Sequence, residues 1–131
     1  LDLNLADSIQ LQRLQGVGPI LARCAYKFRQ ALGGFYDSTQ LTQVYNMPKI
    51  PKEKIAKYFY LEGDQTLKFN INTDSTIYLS KHPYFNWNLA KSIINYRKVH
   101  GNYEALEQIT SIKIILDSLY QKIAPYLTTS E

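Results

Sequence analysis

The chain has 131 residues, 45% of them hydrophobic and 20% charged, which supplies a buried core and excludes a disordered or fibrous chain. The net charge of +4 permits contact with nucleic acid without demanding it. No run of 18 uninterrupted apolar residues is present, and a single cysteine, Cys24, excludes an internal disulfide framework; starting at Leu1, the chain is expected to be a fragment or a processed product.

In chain order, Ala6 to Leu14 carries Ile9, Leu11 and Leu14 and can be capped by Asp7 with Gln10 three residues on, or by Asn4, which predicts a short first helix. The turn Gly16-Val17-Gly18 follows. Pro19 then sits where proline is tolerated, in the first turn of a second helix whose buried face is expected from Leu21, Ala25, Phe28 and Leu32. Gly33-Gly34 stops that helix. Asp37 with Gln40 offers another capping box leading into Leu41 and Val44, and after a break from Met47 to Pro51 a fourth helix holds Ile55, Tyr58 and Phe59.

The pattern then repeats at a constant offset of 68 positions. Asn4 meets Asn72, Leu11 meets Leu79, Leu21-Ala22 meets Leu89-Ala90, and Arg29 meets Arg97. Gly33 falls on Gly101, Phe35 on Tyr103, Leu41 on Ile109, Ile55-Ala56 on Ile123-Ala124, and Tyr58 on Tyr126. An ungapped register in which apolar meets apolar is an internal repeat. Expected helices in the second copy run from Thr73 or Ser75 to Lys81, Trp87 to Val99, Ala105 to Ile112 and Leu116 to Leu127. The expected fold is all-α, eight short helices and no strands, with a first unit at 1–61, a linker at 62–68 and a second unit at 69–131.

Glycines in a tight interhelical turn leave backbone N–H groups unpaired and let another molecule approach bare backbone, while the helix that follows points its positive N-terminus at the same spot. That makes an anion site. Arg13 lies one turn before it, and Arg23 and Lys27, four apart on one helix face, add positive charge. A nucleic-acid phosphate suits such a site, because backbone amides sense charge and shape rather than base identity.

The stretch Leu11-x-x-Leu14-x-Gly16-Val17-Gly18-x-x-x-Ala22, continuing to Phe28-Arg29, resembles the helix-hairpin-helix motif. The larger frame, Leu3-Asn4-x-Ala6 before it and Gly33-Gly34-Phe35 with Leu41-x-x-Val44 after it, is similar to the competence DNA receptor domains of the ComEA type. The resemblance implies two tandem four-helix, SAM-domain-like bundles that hold double-stranded DNA from the minor-groove side without sequence preference, in DNA uptake or DNA repair. It assigns the phosphate contact to Gly16, Val17 and Gly18. A competence-like role further implies a location outside the inner membrane, with the anchor in a segment outside this chain. The chain departs from the family at Ile20, Leu21 and Cys24, where small polar or basic residues are common, which implies weaker binding. Three hairpins, at Tyr45-Asn46-Met47-Pro48, Tyr84-Phe85-Asn86 and Lys113-Ile114-Ile115, lack the glycine pair and are expected to be structural. The alternative reading is a protein-interaction or scaffold domain that kept the fold and lost DNA binding.

Other candidates read as structural. Arg29 and Arg97 are expected to pack their stems and form salt bridges within each unit. Tyr58, Tyr96 and Tyr126 are expected in the core, Cys24 as a buried small side chain, and His82 and His100 as plain helix C-terminal residues. No residue pattern points to catalysis, a metal or a cofactor, and no part of this segment is expected to touch a membrane.

Overall fold

The computed structural model describes residues 1–129, and the chain divides into two compact units, Leu1–Thr66 and Leu67–Glu131. Unit 1 contains α1 (Ser8–Leu11), α2 (Pro19–Leu32), a 3₁₀ helix at Ser38–Gln43 and α3 (Lys52–Ala56). Unit 2 contains α4 (Thr76–Leu79), α5 (Trp87–His100), a 3₁₀ helix at Leu106–Ser111, and α6 (Asp117–Ile123), which runs on as a 3₁₀ turn at Ala124–Tyr126. The fold is all-α and repeats one four-helix plan twice.

Local sequence sets the helix ends. Gln10 N donates to Asp7 Oδ1 at 2.7 Å and Asp7 N donates to Gln10 Oε1 at 2.9 Å, so the capping box ahead of α1 is closed in both directions. Pro19 opens α2, where its missing N–H removes nothing. Gly33, at φ 83°, ends α2 in the left-handed conformation and returns its N–H to the Arg29 and Gln30 carbonyls. Gln40 Oε1 accepts from the N–H groups of Tyr36 and Asp37, at 2.8 and 3.1 Å, and its repeat mate Gln108 accepts from Ala105 N at 3.1 Å.

Two polar side chains tie each unit together. Asn4 accepts from Phe35 N at 2.7 Å and donates to Phe35 O at 3.0 Å; Asn72 does the same with Tyr103, at 2.7 and 2.9 Å. The Arg29 guanidinium donates to the carbonyls of Leu3 and Ala6, both at 2.7 Å, and Arg97 donates to Ile71 and Asp74, at 2.8 and 3.3 Å. The expected salt bridges of these arginines are replaced by carbonyl contacts. The carbonyls of Leu3, Ala6, Ile71 and Asp74 have no backbone donor among the described residues, and buried carbonyls require donors. Arg29 is only 7% exposed, and burial pushes its guanidinium below the ordinary value while Tyr26 and Asp2 oppose the shift.

Three further expectations change. The chain does contain strand pairing: β1 (Phe69–Asn70) runs parallel to β2 (Leu127–Thr128), and Asp2 bridges Tyr60 at the matching place in unit 1. The entry and exit segments of each unit lie side by side and satisfy each other's backbone, over too few residues for any sequence period to reveal. In α2 the buried face is Ala22, Ala25, Arg29 and Leu32, one position round from the expected stripe, because two alanines let α2 approach α1 closely and Arg29 must reach inward. Leu21 and Phe28 flank that face half-buried, and the rotation leaves Cys24 exposed. Ile9 is 76% exposed, since α1 is a single turn and only Leu11 and then Leu14 point into the core.

Removing the ties should be costly at specific places. Arg29→Met strands two buried carbonyls and is expected to destabilise unit 1 by about 3 kcal/mol, and Asn4→Ala by about 2 kcal/mol, as read by urea unfolding. Stability should also respond to pH at both ends of the range. Thr39 N–H holds the Asp37 carboxyl below its ordinary value, with Lys52 at 3.6 Å contributing less. That contribution is present above the unfolded pKa of Asp and lost as pH falls below it. Burial pushes the Tyr103 phenol, which donates to Ile93 O at 2.7 Å, well above its ordinary value, so its contribution is complete below about pH 10 and lost above it. Melting temperature measured against pH should show both limbs, with Asp37→Asn flattening the acid one and Tyr103→Phe the alkaline one.

Candidate nucleic-acid interface

The four interhelical hairpins share one hydrogen bond. Val17 N donates to Leu14 O, Met47 N to Val44 O, Phe85 N to His82 O and Ile115 N to Ile112 O, each at 3.0 Å. They differ at the third residue of the turn. Gly16 sits at φ 89° and Asn46 at φ 65°, both left-handed, and among the described residues Asn46 is the one non-glycine with positive φ. Tyr84 and Ile114 therefore turn without a left-handed residue. Unit 1 keeps the left-handed hairpin twice, because asparagine tolerates this conformation, so the hairpin at Asn46 is closer to the glycine form than its sequence suggests.

The helix that follows the first hairpin begins open. Gly18 is the N-cap of α2 and has no side chain to offer, Pro19 has no N–H, and the N–H groups of Gly18, Ile20 and Leu21 have no acceptor among the described residues. A Cβ built on Gly18 would meet nothing within 4 Å. Bare amides thus face open space at the positive end of a 14-residue helix. At the matching place in unit 2, Asn86 Oδ1 accepts from Leu89 N at 2.8 Å and closes the first turn of α5 from within.

Val17 is buried, 5% exposed, and anchors the turn rather than facing outward; only its flanking glycines lie at the surface. Arg13, Arg23 and Lys27 are all exposed and carry no ion pair among the described residues. Arg23 and Lys27 share the outer face of α2 with Ile20 and Cys24, and Ile20 stands 80% exposed beside the open amides. Arg13 points elsewhere: it lines a cleft of about 400 Å³ with Gln15, Pro48, Lys49, Lys54 and Lys57. Leu14, Ile50, Pro51 and Tyr58 complete its walls. Among the described residues no carboxylate lines it. The three lysines are cationic site residues that the glycine pattern does not disclose; the signal for them is the spacing Lys49, Lys52, Lys54, Lys57 after the second hairpin.

Unit 2 fills the corresponding space. Tyr84 replaces Gly16, and its ring lies 5.8 Å from Tyr126 and 4.4 Å from the Lys122 ammonium, the repeat mates of the cleft residues Tyr58 and Lys54. His82, in the place of Leu14, is buried rather than a plain helix-end residue, packed 4.6 Å from Tyr126 and accepting from Tyr84 N at 3.1 Å. Tyr126 is consequently fully buried, whereas Tyr58, expected in the core, is 36% exposed on the cleft wall. Asp117 and Pro125 stand where unit 1 has Lys49 and Lys57.

Among the described residues no group of three or more His, Cys, Asp and Glu is placed to hold a metal ion, and no helix is long and apolar enough to cross a membrane. No curated protein and no solved structure matches the chain. The family model described as the helix-hairpin-helix motif matches residues 1–60 and again 64–128, covering both units. With the motif present twice and four turns closed by the same hydrogen bond, the chain belongs to the helix-hairpin-helix family, whose motifs generally bind DNA without sequence preference.

Proposed function

We propose that unit 1 binds double-stranded DNA by seating a backbone phosphate at the Gly16–Gly18 hairpin, and that the chain serves as a non-catalytic DNA-binding module in DNA uptake or DNA repair. The observation that carries this reading is the open first turn of α2. A phosphate oxygen there accepts from the amides of Gly18, Ile20 and Leu21 at the positive end of the helix dipole, and the missing side chain at Gly18 lets the strand approach. Arg23 and Lys27 reach toward neighbouring phosphates from the outer face of α2, and Arg13 adds charge on the other side of the turn. Amide recognition of this kind carries no base identity, which supports binding without sequence preference.

A second reading applies to unit 2 and rests on its own hairpin face. Where unit 1 has Pro19, Asn46 and Pro48, unit 2 exposes Trp87, Ile114 and Leu116, at 51%, 53% and 68%. Exposed apolar groups on a turn with a closed helix cap suit a protein partner better than a phosphate.

Anisotropy of a labelled duplex should report micromolar affinity, with log K falling against log salt at a slope of about −2 to −3 for two or three neutralised phosphates. Gly18→Ala, which has room to fold, should weaken binding about tenfold by placing a methyl group in the approach path and losing one charge-assisted hydrogen bond. Gly16→Ala is a poorer probe, because its Cβ would meet Pro48 Cγ at 3.1 Å in a left-handed conformation. Asn86→Ala should cost about 1 kcal/mol of stability through its lost cap and leave affinity unchanged. Absence of salt-dependent binding at low ionic strength overturns the DNA reading. The single tryptophan, Trp87, gives a second check: its emission should stay constant as duplex is added, and a shift would place the DNA on unit 2.

A further inference from the structure

The cleft beside the first hairpin holds more positive charge than the hairpin contact uses. Arg13, Lys49, Lys54 and Lys57 converge on about 400 Å³, and none of them has an ion pair among the described residues. The ion pair of this region, Lys52 with Asp37, lies outside the cleft lining. Four like charges around one small space repel each other, and an anion of matching charge relieves that repulsion. The cleft also has an apolar side, formed by Leu14, Ile50 and the partly exposed ring of Tyr58, over which Lys57 lies at 5.6 Å. Its volume is that of a small-molecule site. One nucleotide fits there, whereas a run of base pairs does not.

We infer that this cleft receives the terminal phosphomonoester of a nucleic-acid strand, with the last nucleotide packed against Tyr58, so that unit 1 holds a duplex near its end. The inference rests on the hairpin reading above, which brings the strand to Arg13. A terminal phosphomonoester carries about −1.5 to −2 charges at pH 7, more than a diester inside the strand, and an uncompensated tetracationic cleft favours the more charged group. A flat ring such as Tyr58 stacks on any base, so no sequence preference is introduced. Unit 2 provides an internal contrast. There the Tyr84 ring lies against the mates of two cleft walls, and two of the four cations are replaced by Asp117 and Pro125.

The test uses the full chain and a short blunt duplex of one sequence prepared with 5′-hydroxyl, 5′-phosphate or 3′-phosphate ends. A duplex with one kind of phosphorylated end should bind about tenfold more tightly than the hydroxyl duplex at low salt, the gain of one charge-assisted contact. In Lys49→Ala/Lys54→Ala protein that ratio should fall to near unity. Both lysines are exposed and have no ion pair among the described residues, so the variant is expected to fold, which a circular dichroism melt checks; Lys54→Glu alone should cause the same loss. Equal affinity for all three duplexes, with binding still dependent on Gly18, overturns this inference and leaves the hairpin reading intact. Persistence of the ratio in folded variants also overturns it. A nucleoside 5′-monophosphate that displaces the duplex at the duplex's own concentration makes the cleft a free-nucleotide site and overturns the strand-end assignment. If no duplex binds in any form, the hairpin reading and this one fall together.

Discussion

Each unit depends on fastening its entry segment before the helices begin. One-turn helices such as α1 and α4 have no stability alone, because helix nucleation costs more than a few hydrogen bonds return. They persist because the residues just ahead of them are held on both sides. The side-chain amide of Asn4 or Asn72 pairs with the backbone of Phe35 or Tyr103, and the guanidinium of Arg29 or Arg97 collects the carbonyls that face inward. The parallel contact between entry and exit segments closes the loop, with Leu3 N on Tyr60 O at 2.8 Å and Ile71 N on Thr128 O at 3.0 Å. A frame fixed this way tolerates large changes in its turns, since no hairpin carries the tie.

That tolerance is visible in the divergence of the two copies. The frame residues keep their partners across the repeat, while the hairpins have moved in opposite physical directions. In unit 1 the turns at Gly16 and Asn46 use left-handed residues, the cap at Gly18 is empty, and the amides face outward. In unit 2 the turns need no left-handed residue, Asn86 closes the helix from within, and an aromatic group of His82, Tyr84 and Tyr126 occupies the space beside the turn. One copy leaves these amides without an acceptor among the described residues. The other satisfies them with its own side chains.

The sequence disclosed the frame well and the site in part. Capping boxes at Asp7 and Asp37, the glycine stop at Gly33 and the proline start at Pro19 are local signals, and each appears where its chemistry requires. The constant offset of the repeat carried the same boundaries into unit 2. Helix phase was less legible: a stripe drawn through Leu21 and Phe28 misses Ala22 and Arg29, because hydropathy gives no credit for an arginine that buries itself to serve carbonyls. The short parallel pairing has no periodicity at all. At the site, the glycine pattern marked the hairpin, but the cleft arises from residues some 35 positions further on, Lys49 to Tyr58, which only folding brings to Arg13.

Position 16 and its mate at 84 show how one residue bears on both the turn and the space beside it. Glycine at this place permits the left-handed turn that presents the amides, and its lack of a side chain keeps the neighbouring cleft open, since even a Cβ there would press on Pro48 at 3.1 Å. Tyrosine at the matching place abandons the left-handed turn and sends a ring between Tyr126 and Lys122. In unit 2 Asn86 caps the helix while Tyr84 fills the space beside the turn, so two neighbouring side chains close what unit 1 leaves open. A turn closed in this way satisfies its own helix start and packs an aromatic group beside it without a ligand. The two copies thus differ at their first hairpins, open with cations lining the neighbouring cleft in unit 1, and capped with aromatic rings beside the turn in unit 2.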